Sequence, residues 1–411
     1  MKNYKMKYFL LLLLFSTNIL QAQNKFEDYN KGVANIFYKK YLESINDFSK
    51  ALKYSTSDKL LLQNRAKCYF EIGKYNDAIN DLLKVNEQNP FLVSYELACC
   101  YSKMADNKSA IKYLEEHLKS KYKKPKSFIR LDKNFDEIHN SDEWNKLWKN
   151  DWYSRIELSI DEANNLYKNN KPNKALDILD EILNKQKRNH KAYFLRAKIL
   201  SSLEQNTNAI DDLSKAIELK SKNVSYLLER AKLYSKQSKK KKAIEDINNA
   251  IALAPFDVLL VYERAKIELN FEQYSEAKKD FKNYLQYYNL DFEGLYSLGI
   301  INFYLENYSV SIKQFSKIIK LSPSSAKSFI ARANANMMLK DFASAESDYT
   351  QALDLTPNEG KIYYNRGLAR LNLKNENGAC SDWNKAIKLN YMDAFDLKYK
   401  YCQTSNLDET E

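Results

Sequence analysis

A small residue returns every 34 positions through most of this chain. Ala175, Ala209, Ala243, Ala277, Ser311, Ala345 and Ala379 stand in one column, which Ser44, Ala78 and Ala110 continue upstream. Twelve residues before each lies a second small residue: Gly32, Ala66, Ala98, Ala163, Ala197, Ala231, Ala265, Gly299, Ala333 and Gly367. Four residues after each lies a large apolar one: Phe48, Leu82, Leu114, Leu179, Leu213, Ile247, Phe281, Phe315, Tyr349 and Trp383. Ten units obey all three rules, and a fixed period of this length is the mark of one supersecondary unit stacked many times. The 411 residues exceed what one hydrophobic core holds. Only 7 Gly and 6 Pro are too few for the turns of an all-β chain. A 44% hydrophobic and 13% aromatic content is too apolar for a disordered one.

Within a unit the apolar spacing is helical, as in Tyr226, Leu227, Leu233 and Tyr234, then Ala243, Ile247, Ala250 and Ile251. Paired small residues let two helix backbones approach, and the large residue fills the space beside them. Pro90, Pro255, Pro323 and Pro357 fall where a second helix must stop. These positions resemble the tetratricopeptide repeat, a 34-residue helix–turn–helix with small, Ala, aromatic and Pro positions in this order. Unit ten carries it as Tyr363, Gly367, Ala379, Trp383 and Ala386. The tryptophan typical early in the first helix is missing throughout, and units three and four lack the terminal Pro. The resemblance implies an all-α fold, an α-solenoid winding as a right-handed superhelix. Its two arrays, residues 25–124 (repeats one to three) and 156–389 (repeats four to ten), flank a helical insert at 125–155. A capping helix at 390–403 and an acidic tail at 404–411 close the chain.

Six of the ten arginines form a column, each followed sixteen residues later by an aspartate: Arg65 and Asp81, Arg196 and Asp212, Arg230 and Asp246, Arg264 and Asp280, Arg332 and Asp348, Arg366 and Asp382. Units without the Arg mostly lack the Asp, as in Leu97/Tyr113, Glu162/Ile178 and Leu298/Gln314, and unit one offers Lys31 with Asp47. Co-occurrence within a unit predicts structural ion pairs closing each hairpin. Choosing Arg in a chain with 55 Lys predicts a planar, bidentate contact.

The insert carries two helical patterns, Phe128, Leu131, Phe135, Ile138 and then Trp144, Leu147, Trp148, Trp152. Ser141, Asp142 and Glu143 between them have the look of a helix start. We read two short helices that pack against the flanking repeats. Five cysteines is an odd count, so at least one has no partner in the chain. In an oxidising compartment a Cys380–Cys402 bridge would staple the capping helix.

Lys2, Lys5 and Lys7 precede the apolar run Phe9–Phe15, and Ala22 supplies a small residue for cleavage. This order predicts a secretory signal over 1–22, too short to span a bilayer. An uncleaved anchor is the alternative. The protein is thus expected outside the cytoplasm: periplasmic, envelope-associated or secreted. Of the formal charge of +12, three units leave with the signal. Lysines spread along the whole chain read as a solvated surface, and export argues against nucleic acid as a partner.

First helices of such hairpins line the concave face. One column there holds Lys67, Lys198, Lys232 and Lys266, and another Phe194, Tyr262 and Tyr296. In tetratricopeptide proteins that groove commonly binds extended peptides or helices, and a Lys/Tyr groove favours a protein or peptide bearing carboxylates. No nucleophile–base pair, metal-spaced histidine or Gly-rich phosphate loop is recognisable, so neither an enzyme nor a bound cofactor or metal is expected. The expectation is a non-catalytic scaffold or assembly adaptor of the cell envelope. The alternatives are an accessory subunit of an envelope enzyme and a polyanion- or membrane-surface-binding protein. Lys239–Lys242, at a hairpin turn, is the segment that would make the latter contact.

Overall fold

A computed structural model describes residues 22–402. The signal expected over 1–22 lies, apart from its last residue, outside the described residues, and so does the tail at 404–411. Every regular element among the described residues is helical, and the helices come in consecutive antiparallel pairs that form an α-solenoid. The chain divides into two compact units, Met1–Val258 and Leu259–Glu411. The first contains repeats one to six with the insert. The second contains the body of repeats seven to ten and the cap.

Each hairpin is built the same way. In repeat five, His190–Ser202 turns back as Asn206–Leu219; in repeat nine, Ala326–Met338 turns back as Phe342–Leu355. Asn189 and Asn223 cap first helices by accepting a backbone N–H, and Ser154 does so in a full capping box with Glu157. The turn between helices is a left-handed cap: Gly73 at φ 76° and, in the other nine repeats, a residue such as Glu204, Ser238 or Glu306 at φ 56–62°. In repeat six the N–H of Lys239 then reaches back to the Tyr234 carbonyl at 2.8 Å, satisfying an end carbonyl. Second helices end at Gln88, Leu253, Leu321 and Leu355, two residues before the prolines at 90, 255, 323 and 357.

The core of a repeat is the small–small–large contact. Ala66, Ala78 and Leu82 are buried together, as are Ala333, Ala345 and Tyr349. Where the first small residue is Gly, the large one fills its missing side chain. A Cβ on Gly32 would lie 2.7 Å from the Phe48 ring, on Gly299 2.7 Å from Phe315, and on Gly367 2.5 Å from Trp383. Two of these repeats use Ser in the second small position, and its hydroxyl donates to the Gly carbonyl: Ser44 to Gly32 at 2.7 Å and Ser311 to Gly299 at 2.9 Å.

The insert departs from the pattern read in the sequence. Its first half is a single turn, Lys126–Arg130, followed by the 3-10 turn Lys133–Phe135, so no helix runs through 128–138. Ile129, Phe135 and Ile138 are buried, whereas Phe128 and Leu131 are exposed. Asp132 explains the break. Its side chain accepts from the Asn134 N–H and starts a new turn, an arrangement that competes with helix continuation. The second half is helical at Asp142–Leu147, with the Ser141 hydroxyl accepting from the Trp144 N–H. Phe135, Trp144 and Leu147 pack onto repeat three, and Ser127 donates through N–H and hydroxyl to Asp161 of repeat four.

Candidate functional site

The arginine column is a set of two-pronged clamps. Nε and Nη2 of Arg65 each donate to a different oxygen of Asp81 at 2.7 Å. Arg196 grips Asp212, Arg230 Asp246, Arg264 Asp280, Arg332 Asp348 and Arg366 Asp382 in the same geometry, at 2.6–3.0 Å. The aspartates are at least 95% buried, so each carboxylate is desolvated and its partner indispensable. One nitrogen per guanidinium, Nη1, remains, and in five of the six it donates to the preceding repeat. Nη1 of Arg65 reaches the Ser49 hydroxyl, Arg230 Ser214, Arg332 Ser316, Arg366 Thr350 and Arg196 the Asp180 carboxylate, at 2.6–3.1 Å. The sequence held that signal: a hydrogen-bonding side chain sits sixteen residues before each of these arginines. The clamps therefore link neighbours as well as closing hairpins. Repeat one differs. Lys31 bonds Glu27 at 2.6 Å, and Asp47 accepts from Asn35 at 2.8 Å, because a lone ammonium lacks the fork that spans the helix pair.

Of the groove residues, Lys67, Lys198 and Lys232 belong to the first unit, and Lys266, Tyr262 and Tyr296 to the second. Lys67 and Lys198 are exposed, and Lys198 Nζ sits 5.9 Å from the centre of the half-buried Phe194 ring. Lys232 is half-buried. Lys266 lies 5.3 Å from the Tyr262 ring centre and 3.3 Å from a Glu263 oxygen. The aromatic column packs at a tilt against its neighbours: Phe194 against Tyr226 (4.6 Å), Tyr262 against Tyr284 (4.4 Å) and Tyr296 against Phe315 (5.6 Å). Burial and the Asp291 and Glu263 carboxylates push the Tyr262 hydroxyl up to about 12, so it stays a neutral hydrogen-bonding group.

A cavity of about 570 Å³ opens beside Lys67, between first helices Lys59–Glu71 and Ser94–Lys103 and the start of the insert. Ala66, Phe70, Leu82 and Leu92 give it an apolar floor, and Gln63, Lys67, Glu71, Glu96, Lys124 and Asn134 a polar rim. Lys124 is held 3.7 Å over the Tyr95 ring and 3.6 Å from a Glu96 oxygen. The Tyr95 hydroxyl donates to Asp132 of the insert. Behind this wall His117 is buried, accepting the Lys124 N–H at Nε2 (2.9 Å), while Nδ1 has no partner among the described residues. Burial and the Lys124 charge lower its value to about 4, so it is neutral and serves packing. Sequence reasoning placed Lys67 in a column but could not see the insert roofing its neighbourhood. In the second unit a disulfide joins Cys380 to Cys402, with Cα atoms 5.7 Å apart, and Cys68, Cys99 and Cys100 are free and buried.

Within each unit, consecutive helical hairpins built on one small–small–large contact define an α-solenoid. The tetratricopeptide repeat profile matches residues 93–123, 190–223 and 224–257. Over these three stretches the chain is similar to the tetratricopeptide repeat, in keeping with its paired helices. It is 28% identical over 189 residues to Hsp70-Hsp90 organizing protein 1 of Arabidopsis thaliana. That match covers 42% of this chain and spans about a third (32%) of the curated relative. Among solved structures, a tetratricopeptide repeat protein from Parabacteroides merdae aligns with 60% of this chain and 98% of its own, at 20% identity and TM-score 0.47. The C-terminal part of a repeat protein from Cytophaga hutchinsonii aligns with 57% of this chain and 97% of its own, at 18% identity and TM-score 0.49.

Proposed function

We propose that this protein is an exported scaffold of the cell envelope that holds a carboxylate-bearing segment of a partner protein on its first helices, with the cavity beside Lys67 as the principal seat. The observation carrying this reading is the make-up of that cavity. An apolar floor able to take one large side chain lies next to an exposed ammonium, Lys67, which has no acidic partner among the described residues. Gln63 and Asn134 add amides on the rim that can pair with an extended peptide backbone. Lys67 is the cation that an acidic segment would meet here, since Lys124 is taken up by Glu96 at 3.6 Å. Lys198 and Lys232, also on first helices of this unit, extend the same preference.

A displayed library of acidic, neutral and basic peptides, selected on the full chain, tests the reading. Acidic peptides with one bulky apolar residue should dominate. Their affinity should fall about tenfold in Lys67→Glu and weaken with salt. Equal capture of basic peptides, or unchanged capture by a folded Lys67→Glu protein, would refute it. Export is tested separately by fusing residues 1–22 to a phosphatase that is active only outside the cytoplasm; an inactive fusion removes the envelope assignment.

A further inference from the structure

The five sulfurs of the cysteines fall into two classes. Cys68, Cys99 and Cys100 are free and buried, and burial holds each thiol above its ordinary value, so none of the three is available as a thiolate. Cys380 and Cys402 are joined, and both are only half-buried. Their disulfide lines an open cavity of about 490 Å³. Tyr401 gives it one aromatic wall, and amides, a hydroxyl and the charges of Glu376, Lys385 and Lys388 supply the rest. Two ammonium groups against one carboxylate do not repel an approaching thiolate, the species that attacks a disulfide. The helix that this bridge fastens, Ala394–Tyr401, is short and thinly buried. Eight residues are too few for a helix to persist alone in water, and Ala394 is its one buried residue. Leu397, Tyr401 and Cys402 are half-buried against Ala379, Trp383 and Ala386 of repeat ten, and Asp393 makes no side-chain cap. Trp383 beneath them is fully buried. An accessible bridge thus holds a helix that packing holds weakly, at the end of an array that needs a cap.

We propose that Cys380–Cys402 is a thiol-exchange site, which a dithiol reductant opens to release the last described helix from repeat ten. One thiolate of the reductant bonds to a cysteine sulfur as the S–S bond breaks, and the other cysteine leaves as a thiolate that takes up a proton. The second thiol of the reductant, losing its own proton, then displaces the first cysteine. The reductant ends as a disulfide, and two electrons and two protons have passed to Cys380 and Cys402. The bridge closes a span of 22 residues, so its loss should raise the opening of the helix about a hundredfold. Opening bares Trp383 and the end of repeat ten to solvent. Exchange in the reverse direction, with an oxidised partner, restores the cap.

Dithiothreitol added to the native full chain at neutral pH, followed by rapid alkylation and by hydrogen exchange, tests both halves of the proposal. Alkylation should label Cys380 and Cys402 and spare Cys68, Cys99 and Cys100. Hydrogen exchange across 394–402 should rise about a hundredfold and fall back once dithiothreitol is replaced by glutathione disulfide. Cys380→Ser/Cys402→Ser, with its overall helicity kept, should show the fast exchange with or without dithiothreitol. Lys67→Glu should change none of this, so the result is independent of the cavity reading. A bridge that dithiothreitol reduces only after urea has unfolded the chain would overturn the inference. So would reduction that leaves exchange across 394–402 as it was, or a serine variant that exchanges like the oxidised parent. Labelling of Cys68, Cys99 or Cys100 along with the pair would mean that the whole unit opens, and that overturns it too.

Discussion

Glu268 gives the sharpest test of how the clamp column works. It sits one turn after Arg264, is only 8% exposed, and its Oε2 is buried with no hydrogen-bond partner among the described residues. Arg264 directs its fork at Asp280 (2.6 and 3.0 Å) and stays 3.8 Å from the Glu268 carboxyl. Burial first, then the Asp280 carboxylate, raise Glu268 from 4.5 to about 7; Arg264 opposes this and Glu276 adds to it. A folded value above the unfolded one means that the native state holds the proton more tightly. Stability from this site is complete below about pH 4.5 and is lost as pH rises through 7. The full linkage is about 3 kcal/mol, and allowing for residual solvent contact leaves about 2 kcal/mol at pH 8. Glu268→Gln supplies a neutral amide at every pH, the chemistry that repeat nine already uses, where the Asn336 side chain donates to Asp348 at 3.3 Å. Repeats open locally, so the assay is native-state hydrogen exchange on Val258–Asn270 and Tyr274–Leu285, corrected for intrinsic rates. The variant should exceed the parent in protection by about thirtyfold at pH 8 and only a few-fold at pH 5. The same ratio at both pH values, or a carboxyl titrating near 4.5 by NMR, would refute the reasoning.

Three further outcomes follow from the geometry. Arg332→Lys should destabilise repeat nine by about 2 kcal/mol in denaturant-dependent exchange, since one ammonium cannot serve both Asp348 oxygens and Ser316; a loss confined to about 0.5 kcal/mol would mean that the clamp is ornamental. Cys402→Ser should loosen the cap by about 3 kcal/mol, and alkylation of the denatured, unreduced parent should label Cys68, Cys99 and Cys100 while sparing Cys380 and Cys402. Glu306→Gly should raise the stability of repeat eight by about 0.5–1 kcal/mol, because the position has φ 58° and only glycine adopts it without strain; no gain by hydrogen exchange would place the strain elsewhere.

What the sequence revealed and what it hid divide along a physical line. Contacts at fixed spacing inside one hairpin leave columns, and so the Ala66–Leu82 packing and the Arg65–Asp81 fork are legible from residue types alone. The left-handed turn leaves almost no trace. Glu204, Glu272 and Lys340 occupy it at φ 57–61°. The backbone bonds of the two flanking helices impose that conformation, so any residue that tolerates the strain will serve. The insert misled because periodicity in Phe128, Leu131, Phe135 and Ile138 counts spacing and ignores local competition. Asp132 captures the Asn134 N–H and the Tyr95 hydroxyl, and that ends the helix early.

The gaps in the clamp column bear on where a partner is held. Repeats one and two, four and five, five and six, eight and nine, and nine and ten are each joined by a guanidinium reaching back to the repeat before. At the junction of repeats two and three, Leu97 stands in the arginine's place. It is fully buried in the cluster that Leu82, Val85 and Val93 form across the junction, and Tyr113 lies flat on Tyr101 where the aspartate would be. Apolar packing tolerates small sliding at less cost than a fork aimed at two oxygens, because it has no preferred direction. The cavity beside Lys67 straddles this junction, between Ala66 and Phe70 on one side and Tyr95 and Cys99 on the other. The stack thus omits its directional bridge where the proposed partner side chain would enter.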